Sequence, residues 1–154
     1  MKLTYRRATM EDIDVLVEIR LEVLRAVNHL SEEEDLSHME KASYAYYRKF
    51  LPTDEHIAYI ARLGEEVVGG GSIGFYHIMP TYTNPTGTKA YIMNVYTRPE
   101  YRRQGIAFKT LDCLLEEARN RGVDYITLKS TLEGRKLYES YGFQKMEREM
   151  EIYL

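Results

Sequence analysis

The chain has 154 residues, of which 44% are hydrophobic and 29% are charged, with 21 Lys and Arg against 24 Asp and Glu. This length and composition predict one compact domain over residues 1–154, and they exclude a collagen-like or intrinsically disordered protein. The formal net charge of −3 provides no general attraction to nucleic acid or anionic lipid, and the single cysteine, Cys113, excludes an internal disulfide.

The amino terminus lacks the features of an export signal. Residues 1–7 (MKLTYRR) contain no apolar h-region, and no apolar run approaches the roughly 20 residues needed to cross a bilayer. Together with the lone thiol, this predicts a cytoplasmic protein without a membrane partner. The four histidines show no ligand spacing, so we predict no metal.

The chain begins with the pattern of a strand followed by a helix. Residues 3–7 predict the strand, and Thr9 can cap the helix. The apolar residues of this helix repeat at helical spacing: Ile13, Leu16, Val17, Leu24 and Val27. Arg20 lies in the middle of this apolar face. We expect a paired or snorkelling arginine there, and the alternative is a side chain that faces the site of an acceptor substrate.

The next segment predicts a second helix and two strands. An acidic run at residues 31–35 separates the first helix from the second, which covers about residues 37–50. Residues 56–63 and 66–78 then predict two consecutive strands. Glycines 69–71 lie inside the second of these strands with no helix after them. They therefore indicate a bulge or a close backbone approach rather than a phosphate-binding loop.

The remaining elements are a strand, a helix, a short strand and a short helix, over residues 90–97, 105–121, 125–129 and 132–141. The last residues alternate between apolar and charged side chains, with Met146, Met150, Ile152 and Leu154 on one side. This alternation predicts a final antiparallel strand with one solvated face. The order of elements predicts an α/β (α+β) fold, a mixed sheet with helices on both faces.

The segment from residue 96 to residue 107 (YTRPEYRRQGIA) joins a strand to a helix. The first N–H groups of a helix have no internal partner and attract anions, phosphate above all. Gly105 and Ala107 permit a close approach, and Arg102 and Arg103 add positive charge. These features indicate a pyrophosphate site, whereas the alternative is an ordinary turn with solvated arginines. Neither the GxxxxGK[ST] nor the GxGxxG pattern occurs.

Arg102-x-x-Gly105-x-Ala107 resembles motif A of the GNAT superfamily of N-acetyltransferases, (Q/R)xxGx(G/A). Residues 135–143 (RKLYESYGF) resemble its motif B, which ends in Leu-Tyr-x-x-x-Gly-Phe. With a weaker match of the first strand and helix, the resemblance covers nearly the whole chain. It implies a GNAT-like mixed, mostly antiparallel sheet of about six to seven strands with a splayed central strand pair.

The resemblance also implies acetyl-CoA as co-substrate and direct transfer of its acetyl group to a primary amine, of a small molecule or a protein, in a ternary complex. The residues implied in binding the coenzyme are Val95, Tyr96, Thr97, Arg102, Arg103, Gln104, Gly105, Ile106, Ala107, Phe108 and Thr131. Thr131 stands where the family often has asparagine, and its side chain has a shorter reach. Tyr138 is implied as the general acid for the leaving thiolate; the alternative is that it only packs.

The motifs do not determine the acceptor side, and the amine is unidentified. Candidates for the general base are Glu32, Glu33, Glu34, Asp35 and His77, with Asn94 as a positioning group. Three alternatives stay open: another donor such as succinyl-CoA, a non-catalytic coenzyme A-binding sensor or interaction module, and an interface at the tyrosine-rich loop. Members of the family often form homodimers, so a homodimer is compatible with the resemblance.

Overall fold

The computed structural model describes all 154 residues, with five strands and four helices. In chain order these are β1 (Leu3–Arg7), α1 (Ile13–Val27), α2 (Ser37–Phe50), β2 (His56–Leu63), β3 (Glu66–His77), β4 (Thr88–Thr97), α3 (Ile106–Asn120), β5 (Ile126–Leu128) and α4 (Arg135–Tyr141). The sheet order is β1-β2-β3-β4-β5, and every pair is antiparallel except the parallel pair β4–β5. The predicted mixed, mostly antiparallel sheet is confirmed.

Helices cover both faces of the sheet because successive side chains of a strand point in opposite directions. On one face, α1 and α2 contribute Leu16, Val17 and Tyr47 to a core that includes Ala58 and Ile60 of β2. On the other face, α3 packs on the sheet through the fully buried Leu111 and Leu114, against Ile57 and Ile73. β4 therefore lies between the two helical layers, with α1 on one face and α3 on the other.

Arg98, directly after β4, fastens α1 to the sheet. Its guanidinium donates to Glu22 at 2.8 Å and to Glu18 at 3.0 Å, one turn apart on α1, and to the carbonyl oxygen of Val67 at 2.8 Å. Its own N–H donates to the Val68 carbonyl oxygen at 2.8 Å. This network fixes the middle of α1, including Arg20, over the carboxyl end of β4.

The three consecutive glycines of β3 are required by close packing. A Cβ atom on Gly70 would lie 2.6 Å from the carbonyl oxygen of Tyr59, and one on Gly71 would lie 2.9 Å from the Thr110 side chain of α3. Such approaches are closer than real Cβ atoms allow, so only glycine fits here. The prediction of a close backbone approach in β3 is confirmed.

The sheet has five strands rather than the six to seven expected, because residues 143–154 form no strand. Met150, Ile152 and Leu154 are exposed, so no apolar surface covers the face that the alternation defines. Alternation describes which side chains would share a face, but a strand also needs a partner for its backbone hydrogen bonds. The predicted C-terminal strand is therefore wrong for the isolated chain. None of the four helices is long and apolar enough to span a membrane.

Candidate active site

The parallel strands β4 and β5 separate part-way along their length. Ala90, Tyr91 and Ile92 pair with Ile126, Thr127 and Leu128, and the pairing stops there. β4 continues to Thr97, so its last five residues have no neighbouring strand on this side. The predicted splay of these two strands is present, but the pair lies at the edge of the sheet rather than at its centre, because no strand follows β5. The splay exposes a row of backbone groups that another extended chain could pair with.

A β-bulge lies where the splay begins. Between the pairs Ser72–Met93 and Gly70–Tyr96, β4 places Asn94 and Val95 opposite Gly71 alone. Asn94 has a left-handed backbone with φ of 58°, a conformation that asparagine tolerates better than most residues. The bulge turns the Asn94 side chain toward α1, while Val95 packs on the core beneath α3.

The turn between β4 and α3 presents free N–H groups. Gly105 (φ 77°) and Arg103 (φ 68°) both have left-handed backbones, which reverse the chain into the helix. No backbone N–H from Arg103 to Phe108 donates to a protein acceptor. The buried side chain of Ile106 anchors the turn, so the free N–H groups stay in place at the positive end of the α3 dipole.

Arg102 braces this turn against β4. Its Nε donates to the carbonyl oxygen of Thr97 at 3.0 Å, and its guanidinium lies 5.7 Å from the centre of the Tyr96 ring. Arg103 and Gln104 are exposed. The sequence predicted that Arg102 and Arg103 add positive charge to this turn. In the structure, Arg102 also joins the turn to the end of β4.

The short helix α4 packs beside the first turns of α3. The rings of Phe108 and Tyr141 lie 5.0 Å apart, and the Tyr141 hydroxyl donates to Asp112 at 2.6 Å. Tyr138 is half-buried against the α3 core, its hydroxyl makes no hydrogen bond to the protein, and burial raises its pKa. The Thr131 hydroxyl accepts the Gly134 N–H at 3.1 Å and thereby shapes the start of α4.

Residues 23–143 match the family described as the Acetyltransferase (GNAT) family. The chain belongs to this family. It is therefore an N-acetyltransferase, and acetyl-CoA is the co-substrate of the family. The curated relatives include the thialysine N-epsilon-acetyltransferases of Mus musculus and Bos taurus. Each is 30% identical to this chain, over 79% and 80% of it and over 75% and 78% of the relatives.

Solved structures agree with this assignment. A predicted acetyltransferase from Clostridium acetobutylicum, crystallised with acetyl-CoA, is 35% identical and has a TM-score of 0.90 over 99% of this chain and 96% of its own. A GCN5-related N-acetyltransferase from Ralstonia eutropha JMP134 is 20% identical, with a TM-score of 0.88 over 99% of both chains. The second likeness concerns the fold alone.

Most of the acceptor-side candidates of this GNAT enzyme lie apart from one another. Residues 32–35 are exposed in the loop between α1 and α2, where Asp35 accepts the Ser37 N–H at 2.9 Å. His77 is exposed and pairs with Thr88, at the opposite end of β4 from the splay. Asn94 alone lies at the bulge.

Arg20 contacts Asn94 rather than an acid. Its Nη1 donates to the Asn94 Oδ1 at 2.6 Å, and no carboxylate lies within ion-pair distance of it. Arg20 is thus paired, as expected, but with a neutral amide beside the bulge. The pairing leaves its positive charge uncompensated within the protein.

Tyr46, Tyr47 and His56 lie near Arg20, and no motif in the sequence identified them. The Tyr46 hydroxyl lies 2.9 Å from His56 Nδ1, and the Tyr47 ring is 5.5 Å from the His56 ring. Burial, and secondarily the charge of Arg20, lower the pKa of His56 to about 4, so its ring is neutral. The available signal was the alternation of His56, Ala58 and Ile60, which places the histidine on a buried strand face.

No three His, Cys, Asp or Glu side chains lie close enough together to hold a metal ion.

Proposed function

We propose that residues 1–154 act as a single catalytic domain that transfers the acetyl group of acetyl-CoA directly to a primary amine in a ternary complex. The observation that carries this proposal is the continuity between two features. The unpaired edge of β4 is followed, after a single 3-10 turn at residues 99–101, by the α3 turn with its free N–H groups. An extended ligand that carries a diphosphate can pair with the edge of β4 and place its diphosphate at the α3 turn.

The turn from Arg102 to Phe108 supplies the pyrophosphate site. Its backbone N–H groups lack protein acceptors, Gly105 has no side chain to block the approach, and Arg103 adds an exposed positive charge. A helix N-terminus of this kind favours a phosphate both by its free donors and by its dipole. Gln104 and Ala107 complete the surface of the turn.

The free edge of β4 supplies the pantetheine site. An amide-containing chain can pair with the backbone of Val95, Tyr96 and Thr97 as an added strand does. In that position a backbone N–H near Val95 would donate to the thioester carbonyl oxygen and stabilise the negative charge that develops there. Thr131, although its hydroxyl already accepts one hydrogen bond, lies beyond the end of β5 and can donate another.

Tyr138 is the general acid of this proposal. The neutral amine attacks the thioester carbon, the C–S bond breaks, and the departing sulfur takes the Tyr138 proton, while the amine gives up its own proton to a base or to water. Burial raises the pKa of Tyr138 above its usual value, so the phenol keeps its proton at neutral pH and can donate it. The Tyr138 hydroxyl makes no hydrogen bond to a protein acceptor, so it is free to donate to the sulfur.

The lone thiol is poorly suited to form an acetyl-enzyme. Burial raises the pKa of Cys113, which lowers its thiolate fraction. The thiol also lies close enough to Tyr5 of β1 and Tyr59 of β2 to influence their hydroxyls. It is therefore on the far side of α3 from the splay, which supports direct transfer.

The curated relatives are named for acetylation of the ε-amine of thialysine, so the amine of a small amino acid is one acceptor class to test for this chain. Thiol release should be measured with acetyl-CoA against amino acids, polyamines, aminoglycosides and peptides. We expect Tyr138→Phe to lower kcat by about 10²- to 10⁴-fold, with coenzyme affinity within about threefold of wild type.

Tyr141→Phe is the matched control, because the Tyr141 hydroxyl is bonded to Asp112. We expect it to keep kcat and to lose about 1 kcal/mol of stability. A Tyr138→Phe enzyme with wild-type kcat would exclude Tyr138 as the acid. An acetyl adduct on the enzyme after incubation with acetyl-CoA alone, detected by mass spectrometry, would exclude direct transfer. Coenzyme binding without turnover of any acceptor would indicate a sensor, or a protein acceptor that this set of compounds lacks.

A further inference from the structure

Arg20 carries a charge that the protein does not neutralise. It lies half-buried in the middle of α1, and the acids one half-turn to either side, Glu18 and Glu22, are both bonded to Arg98. Its one protein hydrogen bond runs from Nη1 to Asn94 Oδ1. A guanidinium has five N–H donors. Nε and Nη2 have no protein acceptor and are not buried, so their N–H groups are open to a ligand.

The side chains around Arg20 are neutral. Tyr46, Tyr47 and His56 all lie close enough for the charge of Arg20 to act on them. The nearest acid to Tyr46 that acts on it is Glu55, which is exposed. Its carboxylate accepts a hydrogen bond from the Thr53 hydroxyl and makes none with Arg20. His56 is 2% exposed, and its Nε2 is buried without a hydrogen-bond partner. A buried polar atom without a partner, near a cation that has no carboxylate partner, indicates a polar site that the protein alone does not complete.

The position of this cluster relates it to the reaction. Asn94 directly precedes Val95, where the proposed function places the thioester carbonyl, and its side chain points to the α1 face of the sheet. Arg20 therefore lies on the face opposite α3 and α4. An acceptor that approached from this face would place its amine at the bulge and any anionic group against the guanidinium.

We propose that the acceptor is an amine that also bears a carboxylate, and that Arg20, held by Asn94, binds that carboxylate. The planar fork of a guanidinium matches a carboxylate with two parallel hydrogen bonds. One cation among neutral side chains balances one negative charge, which favours a carboxylate over a phosphate dianion. Arg20 and Asn94 are thus specificity-determining residues, and this inference rests on the proposed acetyl transfer.

The test compares acceptors with and without the carboxylate: glycine with methylamine, β-alanine with ethylamine, and lysine with cadaverine, with spermidine as a polyamine. For wild type we expect kcat/KM to favour the acid of at least one pair by about 10- to 100-fold, mainly through KM. The pair with the largest preference reports the spacing between carboxylate and amine.

Arg20→Gln should reduce this preference to about onefold, because the carboxylate loses its partner and the decarboxylated amine has none to lose. Arg48→Gln, which removes an exposed charge from α2, should keep the preference. Equal rates for acid and amine, a faster reaction with spermidine, or a preference that survives Arg20→Gln would overturn this inference alone. Turnover of an aminoglycoside or a peptide but of no member of these pairs would also overturn this inference, and it would leave the proposed function standing.

Discussion

His56 is a histidine whose ring the fold keeps neutral. It is 2% exposed, and burial, with Arg20 as a second cause, lowers its pKa from 6.5 to about 4. Above about pH 6.5 the ring is neutral in both the folded and unfolded states. As the pH falls toward 4, the unfolded chain binds a proton that the folded chain does not, so stability is lost across this window.

His56→Asn removes the titrating ring, and we expect it to flatten the dependence of stability on pH. Between about pH 7 and about pH 4.5, His56 should account for a loss of up to about 3 kcal/mol in the free energy of unfolding of wild type. Urea unfolding at both pH values measures this loss, and His38→Asn, at an exposed site, is the control. Equal losses in His56→Asn and wild type would contradict the assignment.

A motif can be recognised in the sequence by its spacing, whereas the contact between Arg20 and Asn94 and the nearby His56 could not be, although Arg20 and Asn94 were each named as acceptor-side candidates. Gly105 and Tyr138 are identified by spacing within a short segment, and a resemblance carries such spacing over directly. Arg20, His56 and Asn94 come from α1, β2 and β4 and meet only because the sheet is folded. The periodicity of α1 showed that Arg20 is a charged residue on an apolar helix face. It could not show that the partner of Arg20 would be Asn94 of β4, because periodicity describes one helix only.

Among the elements, β3 depends most on glycine. A Cβ atom on Gly70 would lie 2.6 Å from a backbone oxygen of β2, whereas one on Gly74 would meet nothing closer than 3.8 Å. Gly70→Ala should therefore force the strands apart and lower the free energy of unfolding by about 1 to 3 kcal/mol. Gly74→Ala is the matched control and should cost less than about 1 kcal/mol. Chemical unfolding measures both, and equal effects would show that the strands adjust.

Element types were largely predictable because each has its own period, and α2 has the predicted limits, residues 37–50. The errors lie where tertiary context decides. Val27 is on the apolar stripe of α1 but is 48% exposed at the last position of the helix. Likewise, residues 146–154 alternate between apolar and charged side chains, but they form no strand, because no other strand of the chain pairs with their backbone.

At the scale of the whole molecule, the splay divides the sheet into unequal parts. β1 to β4 are joined by long registers, whereas β5 is joined to β4 by three residue pairs, and α4 contains no buried residue. Regions with few buried contacts open at lower free energy than the core. We therefore expect the backbone amides of residues 126–141 to exchange hydrogen faster than those of β2 and β3 in the free protein.

Coenzyme A should change this order, because the proposed site joins β4 and the α3 turn to β5 and α4. At a concentration of about 100 Kd, every opening that destroys the site becomes about 100-fold rarer, so exchange over residues 126–141 should slow accordingly. The amides of β1, at the opposite edge, exchange by local fraying and should not change. Hydrogen exchange with mass spectrometry measures each segment. Unchanged exchange over residues 126–141 with coenzyme bound would mean that the coenzyme does not join the two parts of the sheet.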